Sequence, residues 1–160
     1  MGRVMLLALL LAGCGGGEAD TRNAAGEALE AAAIARGVVA DPASATFAGA
    51  YGRGADRVCV NGTAIGIDAS YGEEIACTAR GTANRDGERV AITLGSGGCA
   101  FDARFDGDQL LLPGQLPDAC AAFCDAPASL AGLAVDRLSA APAETLAMRG
   151  SDGTALCPPG

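Results

Sequence analysis

From about Phe47, hydrophobic and polar residues alternate with a period of two. The alternation is cleanest where Cys99, Phe101, Ala103 and Phe105 interleave with Ala100, Asp102, Arg104 and Asp106, which predicts a strand over 99–106 with one face in a core. Val90, Ile92 and Leu94 oppose Arg89, Ala91 and Thr93 in a second strand over 90–94. A strand over 74–82 sets Ile75, Cys77 and Ala79 on one face, and Arg85-Asp86-Gly87-Glu88 turns it back. Short strands over 57–60 and 64–68 flank Asn61-Gly62, a dipeptide that tolerates positive φ and so favours a two-residue hairpin. Asp106-Gly107 turns the chain into a last strand over 110–112, before Pro113. Strands joined by such short turns pair with their neighbours. The prediction is an antiparallel meander curled into a small barrel or a curved sheet.

The flanks carry helical spacing. Residues 24–36 place Ala25, Leu29, Ala32 and Ala33 on one thin stripe, with Asp20, Thr21 or Asn23 as N-cap and Gly37 at the position after the C-cap. Asp41-Pro42 breaks the chain. After the meander, 117–124 reads as one or two helical turns, 130–138 as a returning strand and 142–149 as a short helix stopped by Gly150. Residues 154–157 then bring Cys157 back to the body. The fold class is mainly β with short helices (α+β), with an N-terminal helix and a C-terminal helical and strand extension.

Ahead of the helix, Arg3 precedes a nine-residue apolar run over 4–12, too short for the roughly 20 residues that span a bilayer. Leu11-Ala12-Gly13-Cys14 resembles the lipobox of bacterial lipoproteins. That resemblance implies a signal peptide over 1–13 and a mature chain starting at a lipidated Cys14. Several acyl chains, each buried CH₂ contributing ~0.8 kcal/mol, would hold it on a membrane. In that family Asp after the cysteine favours inner-membrane retention, so with Gly15 there the resemblance implies outer-membrane sorting, facing the periplasm. Residues 14–23, with Gly15-Gly16-Gly17 at their start, form a flexible tether, and 24–160 a single domain.

Six cysteines remain: Cys59, Cys77, Cys99, Cys120, Cys124 and Cys157. An even number in an oxidising compartment predicts three disulfides. Taking Cys59 and Cys77 to lie on neighbouring strands gives Cys59–Cys77. Cys99 returns through one hairpin to Cys120, and Cys157 is left for Cys124, with Cys120 and Cys124 able to exchange roles. No metal site is predicted, because the chain has no His and Cys120 and Cys124 lack CxxC spacing.

Composition removes whole classes of chemistry. The net charge is −8 with 24 glycines and no Lys, so nucleic acid is not a predicted partner. Without His or Lys there is no Ser-His-Asp, Cys-His or Ser-Lys arrangement. Only carboxylates are left as catalysts: Glu73, Glu74, Asp102, Asp106 and Asp108. Cross-strand pairing explains Asp102, and turn chemistry explains Asp106 and Asp108, better than a glycosidase pair or a calcium loop does. Tyr51 and Tyr71, each before Gly, read as barrel-end caps ahead of exposed binding residues. The domain is similar in outline to small cysteine-stapled envelope lipoproteins, and shares with the inhibitors of c-type lysozyme a small disulfide-bearing β-barrel. Of that family's Ser-Gly inhibitory loop it has no counterpart beyond Ala79-Arg80-Gly81. The expected function is a non-enzymatic, lipid-anchored binding or scaffolding module of the cell envelope, without a cofactor. The alternatives are an inhibitor of a secreted hydrolase and a carboxylate-dependent hydrolase.

Overall fold

The computed structural model describes residues 18–39, 41–72 and 74–157, which fall into two compact units divided after Val39. The lipobox with Cys14, and Glu73, lie outside the described residues.

In the first unit, helix α1 covers Glu18–Ala35. It already includes Glu18, ahead of the predicted start at 24, because nothing between Glu18 and Ala24 breaks a helix. Asp20, Thr21 and Asn23 therefore lie inside α1 and are not its N-cap, and residues 18–23, predicted as tether, are helical. The C-terminal prediction holds. Gly37 takes φ 68°, its N–H donates to Ile34 O at 2.9 Å, and the Val38 N–H donates to Ala33 O at 2.9 Å. This pair of bonds is a Schellman cap.

The second unit is a closed barrel of eight antiparallel strands in simple up-and-down order. They are β1 (Gly49–Arg53), β2 (Asp56–Asn61), β3 (Ala64–Ser70), β4 (Ala76–Asp86), β5 (Arg89–Leu94), β6 (Cys99–Phe105), β7 (Gln109–Leu111) and β8 (Ala134–Ser139). A 3₁₀ segment, Asp118–Phe123, and helix α2, Pro142–Ala147, complete the unit. Gly62 and Gly87 take φ 60° and 61° in the predicted hairpin turns, where a Cβ would be strained. The predicted meander thus closes on itself, through the pairing of β1 with β8. The alternation does not reveal β1, since four of its five residues are buried and two are Gly.

Inward positions fill the barrel: Val58 and Val60, Ile65 and Ile67, Val90, Ile92 and Leu94, Phe105, Leu110 and Val135 are all essentially inaccessible. At the end carrying the β4–β5 and β6–β7 turns, Phe47, Tyr51 and Phe105 make an aromatic cluster with centroids 5.2–6.3 Å apart. Two inward arginines close it. Arg85 stands 4.7 Å and Arg137 5.2 Å from the Phe105 ring centre, within cation–π range. Arg85 donates to Pro42 O and Ala45 O, and to Gly87 O at 2.6 Å, while Arg137 donates to Gly107 O at 2.5 Å. Tyr51 caps this end as predicted, fully buried, with its hydroxyl donating to Phe47 O at 2.5 Å.

The three disulfides are Cys59–Cys157, Cys77–Cys124 and Cys99–Cys120. Only the last matches the predicted pairing. Cys59–Cys77 fails on two counts. Strand β3 lies between β2 and β4, and Cys59 faces outward between inward Val58 and Val60 while Cys77 faces the core. Cys77 instead meets Cys124 across a short antiparallel bridge, in which the Asp125 N–H donates to Ala76 O at 2.9 Å. Cys157 is thereby free for Cys59, and residues 148–157 lie as a strap over the outer face of β2, β3 and β4. Leu156 is fully buried there against Gly66, with Met148 and the Cys59–Cys157 bridge around it.

Candidate binding face

Among the described residues, the structure does not gather the carboxylates named from the sequence. Asp102 of β6 pairs with Arg89 of β5, and Arg104 of β6 with Glu88 in the turn before β5, each at 3.0 Å. Asp106 Oδ1 accepts the N–H groups of Asp108 at 3.2 Å and Gln109 at 2.8 Å, so it shapes the turn. Glu74 occupies a turn with φ 62°. Ala79-Arg80-Gly81 lies in mid-strand in β4, not in a loop. Arg80 Nε donates to Ala155 O at 3.2 Å, Nη2 donates to Thr154 Oγ1, and the guanidinium pairs with Asp152 at 3.6 Å.

One carboxylate that the sequence pattern hides is buried. Asp68 alternates with inward Ile67 and Ala69, so it reads as solvent-facing, yet it is only 4% exposed. The strap covers it. Asp68 Oδ2 accepts from Ser151 N and Ser151 Oγ at 2.8 Å each and from Thr78 Oγ1 at 2.9 Å. Three donors on one oxygen satisfy a buried charge and leave this group structural.

Tyr71 is half exposed, and its hydroxyl donates to Ser129 O. Ser129 lines a cleft of about 240 Å³ with Leu116, Pro117, Cys120 and Leu130 beside the 3₁₀ segment. Tyr71 is therefore pinned to the edge of this cleft.

Among the described residues of the barrel unit, the most exposed large apolar side chain, Leu138, lies on the outer side of the wall, away from the core. Ala50 of β1, Leu138 of β8, and Glu144 and Met148 in and after α2 line a groove of about 260 Å³, together with Arg57 and Arg149. Leu138 is 62% exposed and Leu146, on α2, is 37% exposed. Gly52 makes room for Leu138, because a Cβ there would lie 3.0 Å from Leu138 Cδ1. Local carbonyls fix both arginines. Arg57 Nη1 donates to Gly54 O at 2.7 Å and Asp56 O at 2.8 Å, and Arg149 Nη1 donates to Leu146 O at 3.0 Å and Met148 O at 3.1 Å. Thr145, buried, donates to Ala141 O at 3.1 Å and sets α2 against the barrel. Chemically this is an apolar depression flanked by two oriented cations and one carboxylate.

Fold and surface together define a class: a filled, disulfide-clamped, up-and-down β-barrel whose most exposed large apolar side chain in the barrel unit sits in an outer groove. No protein-family model, curated protein or solved structure matches the chain.

Proposed function

We propose that this chain is a non-enzymatic binding or scaffolding module of the bacterial cell envelope. In this reading it is lipid-anchored through Cys14 at the outer membrane and faces the periplasm. The observation that carries the reading is the groove around Leu138, an exposed apolar surface on a wall clamped by three disulfides. Grooves of this kind on rigid frames serve as interaction sites. Two further facts support it. Asp102 and Asp106 are engaged in an ion pair and a turn, and all six cysteines of the body are paired with one another, which suits an oxidising compartment.

The anchor is tested by fractionating cells that carry Cys14→Ser. The variant should leave the membrane fraction, and retention in the wild-type proportion overturns the anchor. The binding role is tested with a photo-crosslinker at position 138. It should capture one defined envelope protein, and Leu138→Asp should abolish the co-purification of that protein with the unlabelled chain. Inhibition of a c-type lysozyme by the purified chain, or glycan hydrolysis by it, would overturn the scaffolding reading.

A further inference from the structure

The barrel wall has a seam. In β6, the backbone groups of Phe105, Ala103, Phe101 and Cys99 turn toward β5, as the Phe105 N–H bond to Glu88 O at 2.7 Å and the β5–β6 register require. Ala100, Asp102 and Arg104 therefore aim their N–H and C=O groups the other way, toward β7. Arg104 meets Leu111 there. The next rung would set Asp102 against Pro113, which has no N–H to give. The Pro113 carbonyl is also taken, accepting from Gly132 N at 2.9 Å, and the Leu112 N–H goes to Leu133 O at 2.8 Å. Beyond Leu111 the chain thus follows β8 and abandons β6.

The gap is a cleft of about 390 Å³, with Ala103, Leu111, Leu112 and Gly114 among its lining. Leu111 is 40% exposed. The Cys99–Cys120 bridge closes the seam at its other end. Among the described residues, none bonds the main-chain N–H or C=O of Ala100 or Asp102 on this side. The Asp102 side chain does not compete for the seam, being held by Arg89 at 3.0 Å.

We propose that this seam receives an extended segment of another polypeptide, which adds to β6 as a strand. The proposal rests on the reading of the chain as a binding module and goes beyond the groove around Leu138, adding a second site, which shares no lining residue with that groove, and the class of polypeptide it takes. Two donors and two acceptors, repeated two residues apart, or about 7 Å, are the pattern that alternate residues of a β-strand complete. An apolar side chain of the segment would enter the cleft between Ala103, Leu111 and Leu112. Charge selects the occupant: at net −8 the chain repels a second copy and acidic peptides and favours a neutral or basic segment.

Amide exchange on the ¹⁵N-labelled full chain tests the seam without any membrane, so its outcome is independent of the anchor. In the free protein, Ala100 and Asp102 should exchange about 100-fold faster than their neighbours Phe101 and Ala103. The probe is a pool of capped nonapeptides with Val or Thr at alternate positions and all other residues varied. Peptides it retains should slow Ala100 and Asp102 at least about tenfold, and the same peptides N-methylated at alternate residues should not bind. Asp102→Pro removes the seam-facing N–H together with the side-chain pair to Arg89, and should weaken binding about tenfold, whereas Asp102→Ala, which loses only the pair to Arg89, should retain it. Protection of Ala100 and Asp102 in the free monomer, an empty pool, equal binding of N-methylated peptides, or protection arising only through dimerisation would each overturn the proposal. The wild-type exchange rates decide the matter even where Asp102→Pro fails to fold.

Discussion

Gly66→Ala should uncouple the strap from the barrel. A Cβ at position 66 would lie 2.2 Å from the Leu156 carbonyl oxygen, 2.8 Å from its carbon and 2.9 Å from Leu156 Cγ. Two of those atoms are backbone, so no side-chain rotation relieves the clash. Cys157 cannot swing away either, because it is bonded to Cys59, the residue directly opposite Gly66 in the β2–β3 register. The displacement must run back through Leu156 toward Ser151. Leu156 is fully buried, and exposing such a side chain costs about 1.5–3 kcal/mol. Weakening a hydrogen bond between Asp68 and Ser151 adds roughly 1.5–3 kcal/mol, while Ala returns less than about 1 kcal/mol of backbone entropy. The expected loss is about 2–6 kcal/mol in urea unfolding of the oxidised protein. Gly114→Ala, with nothing within 4 Å of its Cβ, should stay within about 0.5 kcal/mol of wild type. The reasoning fails if Gly66→Ala unfolds within about 0.5 kcal/mol of wild type and the Ser151 and Leu156 amides remain as protected as before.

Other consequences are open to measurement. Peptide mapping of the non-reduced protein should recover Cys59 joined to Cys157, and a Cys59–Cys77 peptide would refute the strap. Opening the Cys59–Cys157 loop of 98 residues by double Ser substitution should cost about 4–5 kcal/mol, against about 3 kcal/mol for the 21-residue Cys99–Cys120 loop, and the reverse ranking in denaturant melts would contradict it. Burial pushes the Tyr51 hydroxyl up to about 12, opposed by Arg137 and Arg85. Its folded value exceeds its unfolded one, so this contribution to stability is intact below pH 10 and is lost as pH rises through about 12. An absorbance titration should show that late step, and its persistence in Tyr51→Phe would refute the assignment. Asp68→Ala should cost about 2–3 kcal/mol and raise the exchange rate at Ser151, and unchanged exchange there would show that the carboxylate does not hold the strap.

The strands that the alternation marks are those with one wet face. β5 and β6 turn polar residues or Ala outward at every second position, and their boundaries are legible to within a residue. β1 is not, because α2 covers part of its outer face and Gly52 makes room there for Leu138, so its sequence loses the polar half of the pattern. The same covering hides Asp68 beneath residues more than eighty positions away. Disulfide pairing is hidden from the sequence for a related reason. Spacing along the chain brings Cys59 near Cys77, but whether a residue faces in or out follows from register, and Val58 and Val60 turn Cys59 away. The seam was readable only in part. Pro113 marks the end of β7, yet that Asp102 stands opposite it depends on a pairing that the sequence leaves open.

The connectivity has a consequence for how the molecule is made. The three bridges are nested, 99–120 inside 77–124 inside 59–157, with no crossing. Oxidation of the six cysteines after Cys14 in the order they emerge would join Cys59 to Cys77 first, then Cys99 to Cys120, then Cys124 to Cys157. Two of those three links are foreign to the folded barrel, and the first would bind an outward residue to an inward one across an intervening strand. The native set is reached from there only by thiol–disulfide exchange, with Cys59 waiting for the last cysteine of the chain. Production of this protein should therefore be limited less by oxidising power than by the supply of a disulfide isomerase.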